Sequence, residues 1–200
     1  QEKIFNLQAM GAEVLLTRSD VGKGHPEYYQ DMALRLNGKI ENSVFINQFG
    51  NLANPLAHET STGPEIWAQM SHRMDAMVCG VGSGGTITGL GRFFKKVAPD
   101  LEMVLADPEG SILADYVNKG EIGDLGSWLV EGIGEDFIPD VSDLSLVSSA
   151  YTVPDKEAFL TARKLLEDEG ILAGSSSGTL IAAALAYCRD QTGPKNVVTF

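Results

Sequence analysis

Apolar runs of strand length and helical spacings alternate along most of this 200-residue chain. Glu2 to Met10 has a helical spacing that stops at Gly11, and Glu13 to Thr17 is a short apolar run of strand type. Pro26, at a first-turn position, predicts a helix reaching Asn37 with Gly38 as its stop. Ser43 to Ile46 reads as a strand and 47–61 as a polar loop. Gly63-Pro64-Glu65 opens a helix over Ile66 to His72. Ala76 to Val81 is unbroken apolar sequence, the mark of a strand buried on both faces. It gives way to Gly82, Gly84 and Gly85, and a helical pattern then runs from Thr86 to Val97. Leu101 to Ala106 predicts the next strand, 107–143 an irregular glycine-rich stretch, and Leu144 to Val153 another strand. Pro154-Asp155 begins a helix through Glu169, stopped by Gly170. Ser175-Ser176-Ser177-Gly178 forms a second glycine–serine loop ahead of a helix from Thr179 to Arg189, and Asn196 to Phe200 is a last strand.

Such alternation predicts an α/β fold of three αβα layers around a mostly parallel, twisted sheet. The chain opens inside a helical pattern with no cap and closes on Val197-Val198-Thr199-Phe200, a strand with nothing after it. Both ends predict an incomplete fold, a piece of a longer polypeptide. The apolar share of 44 % and charged share of 21 % are those of a soluble globular protein. A net charge of −12 argues against nucleic acid or an anionic membrane as partner. No run approaches the ~18 apolar residues of a membrane helix, and no signal peptide opens the chain. Cys79 and Cys188 match no paired motif and read as packing residues, which suits a cytoplasmic setting. His25, His58 and His72 share no metal spacing, so no metal site is expected and each reads as a surface or packing histidine.

The glycine loop carries the candidate chemistry. Strand, glycine loop and helix together make an anion site, because inward N–H groups and the helix N-terminus both favour negative charge. Three readings compete. The loop can be a tight turn with no ligand. It can bind a dinucleotide, since Gly80-x-Gly82-x-x-Gly85 fits the fingerprint and Asp107 ends the next strand where a ribose-binding acid sits. It can hold one phosphate monoester in Gly82-Ser83-Gly84-Gly85-Thr86, with the hydroxyls of Ser83 and Thr86 adding to the backbone donors. A nucleoside triphosphate is disfavoured, because no Gly-Lys-Ser/Thr follows the glycines. The second loop favours the monoester, since two loops at strand-to-helix junctions converge on one small ligand at the carboxyl edge of a sheet.

Gly82 to Thr86 resembles the phosphate loop of the pyridoxal-phosphate β-family, the fold type II enzymes that include cysteine synthase and cystathionine β-synthase. Asn47-Gln48-Phe49, Asn54-Pro55 and Thr62-Gly63-Pro64-Glu65-Ile66-Trp67 are similar to the segment before that loop. Glu131-Gly132-Ile133-Gly134 and Phe137-Ile138-Pro139 resemble a later active-site loop, and Gly174 to Gly178 resembles the segment whose serine faces the pyridine nitrogen. The resemblance runs in register over nearly the whole chain. Within the family, Asp107 to Leu113 and Val130 to Gly134 look more like cystathionine β-synthase than cysteine synthase.

The resemblance implies pyridoxal 5'-phosphate as cofactor, with Gly82, Ser83, Gly84, Gly85 and Thr86 on its phosphate and Ser176 on its ring nitrogen. The competing reading of Ser176 is a helix N-cap. Gln48, Gly132 and Glu135 would line the substrate side. Glu135 stands where the eukaryotic synthases resembled here carry tyrosine, so it can equally be a solvated charge. The activity implied is β-replacement on serine or an activated serine by a thiol, such as homocysteine and serine giving cystathionine. The alternative is cysteine synthesis from O-acetylserine and sulfide, and the rival from another class is a nicotinamide-dependent oxidoreductase built on Gly80, Gly82, Gly85 and Asp107. Family members form homodimers with small-molecule amino-acid and thiol substrates, and the intact protein would too. Residues 1–46 would be the remainder of a smaller N-terminal α/β domain and 47–200 a larger cofactor-binding domain. The family's Schiff-base lysine lies in a Ser-x-Lys context. None of Lys3, Lys23, Lys39, Lys95, Lys96, Lys119, Lys156, Lys164 and Lys195 has that context, so no catalytic lysine and no turnover are expected of this piece.

Overall fold

The structure, a computed structural model, describes residues 2–18, 20–22 and 24–200. It divides into two compact units, 1–47 and 48–200. The first holds α1 (Glu2–Ala9) and α2 (Tyr29–Asn37), the latter ending at Gly38. The strands predicted over Glu13 to Thr17 and Ser43 to Ile46 do not form. Most of their apolar side chains stay open, Leu16 73 % and Val44 81 % exposed, while Val14 and Phe45 are half-buried. A strand forms only beside a neighbouring strand, and an apolar run alone supplies no neighbour. Pro26 lies in a turn ahead of α2 rather than in its first turn.

The second unit is built on β1 (Ala76–Cys79), β2 (Glu102–Pro108), β3 (Ser149–Val153) and β4 (Val197–Val198), all parallel, in the order β3-β2-β1-β4. Around them run α3 (Ala53–Ala57), a wide π turn (His58–Thr62), α4 (Gly63–Gln69), α5 (Gly85–Val97), α6 (Leu113–Lys119), α7 (Asp155–Glu169) and α8 (Ser175–Arg189). The period of two in the strands divides the core. Met77, Cys79, Met103 and Leu105 pack with Ile87, Leu90 and Phe94 of α5, while Ala76, Val78, Val104 and Ala106 pack with Leu180, Ala183 and Tyr187 of α8. Every β1 residue is buried, which is why its sequence does not alternate. The α7–α8 layer can come close because Gly178 lies against the Ala158 carbonyl. This is the three-layer αβα arrangement expected.

Three further expectations change. The polar stretch 47–61 is largely helical, because its packing surface is supplied by α5 rather than by its own apolar side chains. Gly89 lies under Pro55, His58 and Glu59, and Gly63 lies 2.7 Å (to the position a Cβ would take) from the Phe93 ring. The irregular stretch 107–143 contains α6, started by the Asp107 carboxylate, whose Oδ2 accepts the Ala114 N–H at 2.8 Å. Ser175 to Gly178 forms the first turn of α8, and the segment before it is coil rather than strand. The second loop is therefore not a strand-to-helix junction. Among the described residues no helix is long and apolar enough to cross a membrane, and no cluster of His, Cys, Asp and Glu is arranged to hold a metal ion.

Candidate functional site

The glycine loop leaves the carboxyl end of β1 and enters α5 at Gly84, the cap residue, with φ +81°. A left-handed φ is strained for any residue with a Cβ, so glycine is required there. A Cβ at Gly84 would also meet the Ser142 side chain, one at Gly82 would lie 2.5 Å from the Gly132 carbonyl oxygen, and one at Gly85 would meet the Asn54 amide. The loop is thus packed on its flanks, while the first N–H groups of a 13-residue helix lack partners within that helix.

Asn54 sets the polarity of the loop. One of its atoms faces the Gln48 carbonyl at 2.9 Å, and a carbonyl only accepts, so that atom is Nδ2. The same Nδ2 donates to Ser83 Oγ at 3.0 Å, and Gln48 Nε2 makes a longer approach to Ser83 Oγ at 3.4 Å. A hydroxyl accepts twice and donates once. An amide nitrogen only donates, so Ser83 accepts from Asn54 and its O–H is not spent on that contact. Thr86 Oγ1 lies 3.2 Å from His58 Nε2, and His58 Nδ1 lies 3.0 Å from Thr62 Oγ1. Burial pushes the His58 imidazole below its ordinary value, which favours the neutral ring. On the other side of α5, Thr88 Oγ1 accepts the Asp143 N–H at 2.9 Å.

Residues 130–134 connect this loop to α8. Gly134 donates its N–H to the Val81 carbonyl at 2.8 Å, and Gly80 is wedged between Ile133 and Leu180. Glu131 N–H approaches Ser175 Oγ at 3.4 Å. Gly82 to Thr86, Gln48 and Gly132 are therefore brought together, and the first turn of α8 is joined to them through 130–134. Ser176 stands half-buried in that turn, two residues past the cap residue Gly174, and is not itself the N-cap. Gly132, with φ +86°, has open space where a Cβ would be.

Glu135 is held through its backbone. Its N–H donates to Ser111 Oγ at 3.1 Å, and its carbonyl accepts from Ser111 Oγ at 3.2 Å and the Ile112 N–H at 3.1 Å. Burial, then the charges of Asp136 and Asp107, push its carboxyl up to about 7. Asp107 is fully buried, its Oδ1 has no partner, and burial pushes it up to about 6. A carboxylate that caps α6 from inside the core is not available to a ribose, which removes the acid on which the dinucleotide reading depended. Cys79 is buried and its thiol is pushed up to about 12, in keeping with a packing role.

Sequence reasoning missed Asn54 and His58 as parts of this site. They lie 29 and 28 residues from the hydroxyls they touch; Asn54 stands in a segment that resembles the family but gains no role from it, and His58 reads in the sequence as a surface or packing histidine.

The family described as pyridoxal-phosphate dependent enzyme matches residues 1–200. Cystathionine beta-synthase of Dictyostelium discoideum is 42 % identical over 199 residues, which are 99 % of this chain and 40 % of that protein. Cystathionine beta-synthase of Apis mellifera is 39 % identical over 197 residues, 98 % of this chain and 39 % of that protein. Cysteine synthase A of Escherichia coli (strain K12) is 40 % identical over 195 residues, 96 % of this chain and 60 % of that protein. The chain spans about two-fifths of the length of the curated cystathionine beta-synthases it matches.

Proposed function

The chain belongs to the pyridoxal-phosphate dependent enzyme family, and from that premise we propose that it supplies the phosphate and ring-nitrogen side of a β-replacement site. The parent reaction on this reading joins serine, or an activated serine, to a thiol, and the likeness to proteins named cystathionine beta-synthase supports it. Cysteine synthesis is the second reading, supported by the likeness to cysteine synthase A. On this reading both would use the same site, and they differ in the thiol admitted and in the group that leaves the serine.

The observation that carries the proposal is Ser83. It accepts from Asn54 Nδ2, so its own proton is left over and suits an anion at the mouth of α5. The left-handed Gly84 and the unpaired first N–H groups of α5 suit the same anion. These residues fit a phosphate monoester. Ser176 in the first turn of α8 would meet the ring nitrogen with a neutral hydroxyl. Such a partner does not hold the nitrogen protonated as a carboxylate does, which favours β-elimination and replacement over transamination. Pyridoxal phosphate bound here would supply an electron sink for the substrate α-carbon. Gln48 and Gly132 would face the substrate, Gly132 through backbone that an added side chain would cover.

We place the covalent lysine of the reaction outside these 200 residues. Lys95 and Lys96 close α5 at the end opposite its phosphate-facing N-terminus, and Lys96 is engaged by Glu59. Lys156 and Lys164 lie on α7, where Lys164 pairs with Asp168, Lys119 pairs with Asp115, and Lys195 approaches Glu102. Lys23 lies outside the described residues. Titration with pyridoxal phosphate and with pyridoxal tests the proposal. Tighter binding of the phosphorylated form, displaced by inorganic phosphate and weakened about tenfold by Ser83→Ala, is expected. Equal binding of the two forms overturns the phosphate site. A stoichiometric borohydride-fixed adduct at one lysine overturns the placement of the covalent residue.

A further inference from the structure

Thr86 and Ser83 both face the candidate phosphate, yet they are supported differently. Asn54 presents only N–H groups to Ser83, whereas a neutral imidazole faces Thr86 and can either give or take a proton there. Two arrangements satisfy the chain Thr62–His58–Thr86. In one, Nδ1 carries the proton and donates to Thr62, and Thr86 spends its own O–H on Nε2. In the other, Thr62 donates to Nδ1, Nε2–H donates to Thr86, and the Thr86 O–H is left for a ligand. The distances of 3.0 Å and 3.2 Å allow both.

We propose that His58 is a positioning residue whose Nε2–H tautomer is selected when phosphate binds, turning Thr86 into a second dedicated donor. The inference rests on the phosphate reading of the loop. A phosphate oxygen gives the Thr86 proton a charged acceptor, which is stronger than the neutral ring nitrogen it leaves. The ring then reverses its role without moving a heavy atom, and the direction of donation passes back to Thr62. Because the two events share one equilibrium, anything that favours Nε2–H tightens phosphate binding by the same factor. The π turn makes this relay possible. It places His58 and Thr62 on one side, while Thr60 and Ser61 turn their hydroxyls back to the carbonyls of Leu56 and Ala57. Thr62 alone of these three hydroxyls is aimed at the ring.

The test uses the 200-residue chain with inorganic phosphate as probe. In wild-type protein labelled with 15N-histidine, phosphate is expected to move the His58 signals toward the Nε2–H pattern. His58→Phe keeps an aromatic ring, a somewhat larger one, and removes both nitrogens, and is expected to weaken phosphate binding about tenfold. His58→Gln, whose amide can donate from the Nε2 position, is expected to stay within about threefold of wild type. In a Thr86→Val background, His58→Phe is expected to cost nothing further. A His58 ring that keeps the Nδ1–H pattern with phosphate bound overturns the proposal, as does additivity of His58→Phe with Thr86→Val. The 15N readout on wild type stands even if a variant does not fold. Wild-type chain that takes up no phosphate overturns the phosphate reading and the relay together, whereas normal uptake by His58→Phe overturns the relay alone.

Discussion

Asp107→Asn should make the fold relatively more stable as pH rises. Asp107 is fully buried at the carboxyl end of β2, with Oδ2 on the Ala114 N–H and Oδ1 without a partner. Burial is the largest influence on it and pushes its carboxyl up to about 6, against 3.8 for the free side chain. The folded protein therefore holds this proton more tightly than the unfolded chain. Stability is full below the unfolded value, falls as pH rises between the two values, and is flat above about 6. At about 1.4 kcal/mol per pH unit the whole loss is about 3 kcal/mol, of which about 2 falls between pH 4.5 and pH 8. The amide introduced by Asp107→Asn would keep an oxygen for Ala114 and carry no charge. Its NH₂ would lack an acceptor, a pH-independent cost of about 1–3 kcal/mol. The variant can therefore be less stable than wild type in acid, but the difference between them must move by about 2 kcal/mol in the variant's favour toward pH 8. Urea unfolding of both proteins at the two pH values measures that double difference. A difference that does not change with pH refutes the reasoning, because it would mean that the buried carboxylate finds a partner when ionised.

Three other outcomes follow from the same geometry. Glu135, pushed up to about 7 by burial and by the charges of Asp136 and Asp107, should titrate near neutrality in carboxyl NMR, and Asp107→Asn should lower its midpoint by removing one of those charges. Gly85→Ala should cut phosphate affinity about tenfold, because its Cβ would fall on the Asn54 amide and take the donor away from Ser83; unchanged affinity would show that Asn54 does not set the loop. Gly178→Ala should cost about 1–3 kcal/mol in urea unfolding, since its Cβ would fall on the Ala158 carbonyl and push α7 from α8.

The elements legible in the sequence are those punctuated by residues with one conformational preference. α7 begins after Pro154 and ends at Gly170, whose φ of +70° is the left-handed stop that glycine supplies, and its predicted bounds match the observed ones. β1, the glycine loop and α5 were legible for a related reason: a run buried on both faces cannot alternate, and it must break before a helix can turn back. The segment 47–61 was not legible, because its helices are short and polar and rest on glycines of another element. The strands expected at Glu13 to Thr17 and Ser43 to Ile46 were over-read, since an apolar run states a preference but not a partner. Hydroxyls at Ser83 and Thr86 could be picked out as candidate donors. Whether each gives or takes a proton depends on Asn54 and His58, which only tertiary packing brings to them.

Those glycines tie the fold to the site. Gly85 and Gly89 lie one turn apart on α5, under Asn54 and under Pro55, His58 and Glu59 respectively. Gly85 opens α5 and Gly89 lies in its interior, where glycine costs about 1 kcal/mol against alanine and is a weakness unless something uses the space. Here the Asn54 side chain occupies it at Gly85 and the Pro55–Glu59 stretch at Gly89, close enough that Asn54 reaches Ser83 and His58 reaches Thr86. A glycine loop on its own offers backbone donors to any anion of suitable size. Docking the 54–62 segment onto the glycine face adds a donor whose direction is fixed at Ser83 and one whose direction depends on a ring proton at Thr86. The close approach at Gly85 and Gly89 and the polarity of the candidate anion site are thus one feature, and alanine at either position should weaken phosphate binding.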